Sequence, residues 1–217
     1  KVSVSDGENE EVLTGKSSND YFPPYVYTTA RLMGEAGKTY ELKVEYSGRT
    51  VTAKTTIPDP VPLEWIKVVR AEEEGSADII AGLKDDPDAR NHYKFFTKVM
   101  NEDSSYVSSF MGLIDDSVLS DGVNEIMIQR GMPQMFGYED ISNTFKDDSF
   151  VLIRFSTMDE VSYAYWEDYE DIASLSRNPF FPVSRKIRSN VEGGLGYWAG
   201  YGSSYYRISI ADSLKVR

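Results

Sequence analysis

The only imidazole in the chain is His92, within Asp88-Ala89-Arg90-Asn91-His92-Tyr93. It could serve a Ser-His-Asp arrangement, whose members need spatial rather than sequential closeness. No serine stands in a G-x-S-x-G elbow, however, and His92 reads as an exposed or hydrogen-bonding loop residue. The absence of cysteine removes thiolate catalysis, cysteine-ligated zinc and disulfides together. Carboxylates are plentiful, 35 in all, and two of them facing each other across a cleft could hydrolyse a glycoside. They run in short clusters, Glu72-Glu73-Glu74, Asp85-Asp86, Asp115-Asp116 and Asp147-Asp148, which read first as solvated loops.

Oxygen-only ligands suit calcium, and Asp85, Asp86 and Asp88 form the best short acidic loop for it. The loop lacks the central glycine and distant glutamate of an EF-hand, so a solvated turn is the preferred reading and no metal is assigned. Gly193-Gly194-Leu195-Gly196 has neither the preceding strand nor the following helix of a dinucleotide site, and no cofactor is assigned.

The strongest binding candidates are aromatic. Between Asn190 and Tyr206, five glycines alternate with Tyr197, Trp198, Tyr201, Tyr205 and Tyr206. Tyrosine and tryptophan offer flat apolar faces with polar rims, so Tyr197, Trp198 and Tyr201 are the candidate ligand or partner residues. The alternative buries them beneath a helix opposite Tyr165, Trp166 and Tyr169, and the large aromatic area that a chain of this size must remove from water favours it.

The elements that must position these residues are mostly strands. Residues 1–57 predict five: Lys1–Ser5, Glu11–Thr14, Tyr25–Ala30, Thr39–Tyr46 and Thr50–Ile57. In Tyr40-Glu41-Leu42-Lys43-Val44-Glu45-Tyr46 every second residue is apolar, and Ser47-Gly48 joins that strand to the next as a tight hairpin. Five strands make a small sandwich that a further strand ahead of Lys1 would complete. Pro58, Pro60 and Pro62 then mark 58–62 as a linker. A second domain over 63–217 is expected to be a sandwich or barrel-like, with strands at Leu63–Arg70, Ala77–Leu83, Tyr93–Asn101, Tyr106–Met111, Glu125–Arg130 and Phe150–Phe155. One helix is predicted at about residues 158–175, where Val161, Ala164, Tyr165, Trp166, Tyr169, Ile172 and Ala173 recur at helical spacing. Thr157 and Glu160 would form its capping box, and it would end before Asn178-Pro179. Asn190–Tyr206 reads as a sharply curved strand, and Arg207–Ile210 as a closing strand.

Composition narrows the partners. The formal charge is −12, and such a field repels phosphate backbones and anionic lipid, so nucleic acid is excluded as a natural partner. No run approaches the roughly 18 apolar residues of a membrane span. The aromatic content of 13% excludes a disordered chain.

Three stretches together carry a resemblance. Gly37-Lys38-Thr39-Tyr40-Glu41-Leu42-Lys43-Val44, then Thr55-Thr56-Ile57-Pro58-Asp59-Pro60-Val61, then Asn178-Pro179-Phe180 with Ser189-Asn190-Val191-Glu192-Gly193-Gly194-Leu195-Gly196-Tyr197-Trp198-Ala199-Gly200-Tyr201 resemble the Bacteroidetes envelope lipoproteins grouped as domain of unknown function 4249. The resemblance implies an immunoglobulin-like or transthyretin-like N-terminal sandwich, a second β-rich domain, a lipidated cysteine upstream of Lys1 and an outer-membrane location. It implies no enzyme, and suggests an accessory to a TonB-dependent receptor in nutrient uptake. A glycan-binding or adhesive module is the second expectation, and a carboxylate-based hydrolase the third.

Overall fold

The computed structural model describes residues 1–19, 21, 24–86, 88–131, 143–175 and 186–215. The chain packs as two compact units, Lys1–Asp59 with Met158–Gly202 and Pro60–Thr157 with Ser203–Arg217. It is mainly β, built from antiparallel sheets, with no closed barrel among the described residues.

The first unit begins with β1 (Val2–Ser5), β2 (Glu10–Val12), β3 (Thr14–Ser17), β4 (Tyr25–Thr28), β5 (Thr39–Tyr46) and β6 (Arg49–Thr56). Strands β5 and β6 pair from Thr39 with Thr56 through to Tyr46 with Arg49, the hairpin expected from the alternation. Both turn residues, Ser47 and Gly48, have positive φ, 48° and 76°, as a two-residue primed turn requires. Val2, Val4, Tyr40, Ala53 and Thr55 are buried, and cross-strand register puts them on one face.

The strand expected at Glu11–Thr14 divides in two. Strand β2 pairs with β1, whereas β3 pairs, among the described residues, only with β4. The division coincides with a buried acid. Glu11 is 7% exposed, and its carboxylate accepts backbone N–H bonds from Ala30 at 2.7 Å, Arg31 at 3.1 Å and Leu32 at 2.7 Å. One side chain thereby fixes the path of the segment between β4 and β5.

The second unit starts with β7 (Trp65–Arg70), β8 (Ser76–Lys84), β9 (His92–Val99), β10 (Val107–Asp115), β11 (Val123–Ile128), β12 (Phe145–Lys146) and β13 (Phe150–Met158). Strand β8 pairs with β7 on one side and with β11 and β12 on the other. Strands β10, β9 and β13 form a second sheet, in that order. Ala77, Ile79, Ala81 and Leu83 of β8 share one buried cluster with Tyr93, Phe95, Val151, Ile153 and Phe155, the arrangement of a sandwich. The Phe155 ring stacks 4.5 Å from Phe95 and 5.2 Å from Tyr93. Strand β10 runs past the expected end at Met111 because its register with β9 shifts between Ser108 and Leu113.

The chain then returns to the first unit through α1 (Glu160–Leu175) and β14 (Val191–Glu192), which pairs with β6. The first unit's sheet therefore has the order β14-β6-β5-β1-β2. The span expected as one domain, 63–217, is thus divided, because Met158–Gly202 packs with the N-terminal strands. The helix cap also differs from expectation. Asp159, not Thr157, receives the Ser162 N–H at 2.8 Å, since Thr157 still belongs to β13 and its hydroxyl accepts from the Val61 N–H. The stop expected at Asn178-Pro179 lies outside the described residues. Instead of one curved strand over Asn190–Tyr206, β14 and β15 (Gly202–Ser209) are separated by irregular backbone, and β15 joins the second unit's sheet beside β13. Ile210, expected to end the closing strand, instead begins α2 (Ile210–Ser213).

Hydrogen bonds from Leu32 and Ala30 hold the Glu11 carboxyl below the usual carboxylate range, against the opposing effect of burial. A depressed folded-state value means stability that is complete above the unfolded value, about 4.3, and lost as pH falls through the folded one. Glu11→Gln should therefore lower Tm at pH 7, and the gap from the parent chain should close as thermal scans are taken to progressively lower pH below 4.

Candidate functional site

The segment carrying Tyr197, Trp198 and Tyr201 is held at several points. Arg188 grips the buried Asp168 of α1 through Nε at 2.7 Å, Nη2 at 3.0 Å and its own backbone N–H at 2.9 Å. Next, the Ser189 hydroxyl donates to the Gly196 carbonyl at 2.8 Å and accepts the Gly196 N–H at 3.2 Å. Asn190 does the same for Trp198, with Nδ2 donating to its carbonyl at 2.6 Å and Oδ1 accepting its N–H at 2.9 Å. These two side chains close residues 189–198 into a loop.

The far end is fixed by the N-terminal sheet. The Gly200 N–H donates to Thr55 Oγ1 at 2.7 Å in a buried bond. A β-carbon at Gly200 would stand 2.6 Å from Ile57 Cγ1 and 3.2 Å from the Ile57 backbone, so the glycine permits a contact that a larger residue would block. Two motifs far apart in sequence, Thr55-Thr56-Ile57-Pro58 and the glycine-rich aromatic segment, therefore meet in space.

The aromatic side chains face the helix. Tyr197 stacks on Tyr165 at 3.8 Å with the rings 4° from parallel. Its hydroxyl lies 2.9 Å from that of Tyr201, which also accepts the Trp166 indole N–H at 2.8 Å. Burial, with the Tyr201 hydroxyl alongside, pushes the Tyr197 phenol well above its ordinary range. Tyr197 and Tyr201 thus belong to the packing of α1, and one face of Tyr197 is already covered by protein. Trp198 is half-buried, pinned through its backbone, and its buried indole nitrogen has no hydrogen-bond partner among the described residues. The loop's apex points elsewhere: Leu195, between Gly194 and Gly196, is 80% exposed.

The acidic and imidazole candidates gather in the second unit. His92 is not a loop residue; it is the first residue of β9 and 4% exposed, with Nδ1 3.7 Å from the Asp115 carboxylate. Arg90 bonds Asp115 at 2.8 Å and approaches Asp116 at 3.5 Å, so its cation sits among the carboxylates. Asp85 accepts from the Tyr93 hydroxyl, and Asp86 accepts the Asp88 N–H at 3.0 Å. No three or more His, Asp or Glu side chains among the described residues are placed to hold a metal ion. Burial works to raise the Asp115 carboxyl, but hydrogen bonds from Ser117 and Arg90 outweigh it and hold the group below its usual range. A general acid requires the opposite shift.

Sequence reasoning took Tyr25 and Tyr27 only as strand residues, yet the structure leaves both in solvent. The alternation of Tyr25-Val26-Tyr27-Thr28 is that of a half-buried strand, and only the register of β3 with β4 discloses the exposed face.

Fold and loop together define a mainly β protein of two compact units, each built on antiparallel sheets, with a clamped, aromatic-backed loop. Residues 1–207 match the family described as Domain of unknown function (DUF4249), and the chain belongs to that family. No curated protein and no solved structure matches it.

Replacing Gly200 by alanine forces its new methyl against Ile57 and should cost about 1–3 kcal/mol, the range of an overpacked core site. Urea unfolding of Gly200→Ala should show the lowered midpoint, while Leu195→Ser in the same segment leaves it unchanged.

Proposed function

We propose that this chain is a non-enzymatic lipoprotein of the cell envelope, held at the outer membrane, that binds a TonB-dependent receptor as an accessory in nutrient uptake. The observation that carries the reading is the apex of the clamped loop. Leu195 stands in water on a segment whose backbone is tied down by Ser189 and Asn190. An exposed leucine on fixed backbone suits insertion into a partner's apolar pocket, because little loop freedom remains to be lost on binding.

The envelope setting and the type of receptor rest on the resemblance of Thr55–Val61 and Ser189–Tyr201 to the Bacteroidetes lipoproteins, which membership of the family supports. The net charge of −12 argues for a protein contact rather than adsorption to anionic lipid.

Mild cross-linking of the membrane-anchored protein in its own cells, followed by purification and identification of what accompanies it, tests the proposal. One TonB-dependent receptor should be recovered in near-stoichiometric amount, and Leu195→Asp should lose it while circular dichroism stays unchanged. Recovery of no receptor, or equal recovery with the aspartate variant, would contradict the reading.

A further inference from the structure

Strands β3 and β4 form a two-stranded ribbon that joins no other sheet among the described residues. Register sets Gly15 opposite Tyr27 and Ser17 opposite Tyr25, so these four residues share one face. The tyrosine rings lie 5.6 Å apart at 66°. Tyr25 is 53% and Tyr27 48% exposed. Both lean over Gly15, where a β-carbon would come within 2.8 Å of Tyr25 Cε1 and 2.9 Å of Tyr27 Cε1. Glycine thus lets the two rings settle onto the backbone of β3 while their other surfaces stay in water.

The ribbon's charge differs from that of the chain. None of its eight strand residues is acidic, and Lys16 is its only charged one, although the chain carries 35 acids. Its face is a pair of aromatic rings carrying phenol hydroxyls, that of Tyr25 lying over Gly15, beside a Ser17 hydroxyl that donates to the Pro24 carbonyl at 3.2 Å. That chemistry complements a ligand with a flat C–H face and a hydroxyl edge, which describes a sugar ring. The surrounding net charge of −12 opposes a polyanion. Two rings also offer far less than the roughly 800 Å² per partner of a standard protein interface.

We propose that Tyr25 and Tyr27 form a binding platform for a neutral oligosaccharide, with one sugar ring stacked on each tyrosine. Rings inclined at 66° cannot both lie against a flat crystalline surface, so the ligand is a single soluble chain whose successive sugars turn relative to one another. The platform is independent of receptor binding through Leu195.

The test uses the 217-residue chain on an array of neutral oligosaccharides and in affinity gels containing glycogen, xyloglucan or galactomannan, with insoluble cellulose as the flat control. The expected result is saturable binding to at least one soluble glycan and none to cellulose. Tyr25→Ala and Tyr27→Ala should each weaken that binding at least tenfold at unchanged Tm, and Tyr25→Phe should keep most of it. Failure to bind any soluble neutral glycan would overturn the proposal. So would equal binding by the alanine variants, or capture through this ribbon of a protein partner alone.

Discussion

The buried bond from the Gly200 N–H to the Thr55 hydroxyl, made possible because nothing but hydrogen separates Gly200 from Ile57, organises the first unit. It joins residues 145 positions apart in sequence. With it come β14 on the edge of β6, the Ser189 and Asn190 closures, the stacking of Tyr197 on Tyr165 and the bond from the Trp166 indole to the Tyr201 hydroxyl. The N-terminal sheet is therefore completed by chain that arrives only after strands β7 to β13 of the second unit, and before β15 closes that unit's second sheet. Contacts of such long separation carry a large loop-closure cost before they return any stabilisation. Packing and hydrogen bonds at the junction must offset it.

Local signals were legible where one periodicity acted alone. Tyr40 to Tyr46 alternates cleanly and ends in Ser47-Gly48, so strand, turn and partner could all be read. The helix was legible from its apolar spacing, but its first residue was not: Thr157 and Asp159 are both good caps, and the choice was made by β13, which keeps Thr157 extended and engages its hydroxyl with Val61. The return of Met158–Gly202 to the first unit was hidden for a different reason. Nothing in the composition of 63–217 marks the place where the chain changes partner, since the contacts that hold the segment there, Gly200 with Thr55 and Ile57 and β14 with β6, join residues far apart in sequence.

The candidate site was half visible. Tyr197 and Tyr201 were recognised with their burial against Tyr165 and Trp166 as the favoured alternative, and the structure makes those contacts. What sequence could not supply was exposure. Leu195 and the Tyr25–Tyr27 pair are ordinary apolar residues on paper, and only the closure of the loop and the register of the ribbon leave them facing water. His92 failed in the other direction, because a polar neighbourhood, Asp88 to Asn91, disguised the buried start of β9.

Amide hydrogen exchange measured residue by residue on the intact chain tests the central claim most directly. If the return segment is part of the N-terminal fold, the amide of Gly200, buried in its bond to Thr55, exchanges with the same free energy and denaturant dependence as those of β5 and β6. Exchange of Gly200 at the rate of an open loop, or in step with β8 and β9 instead, would contradict it.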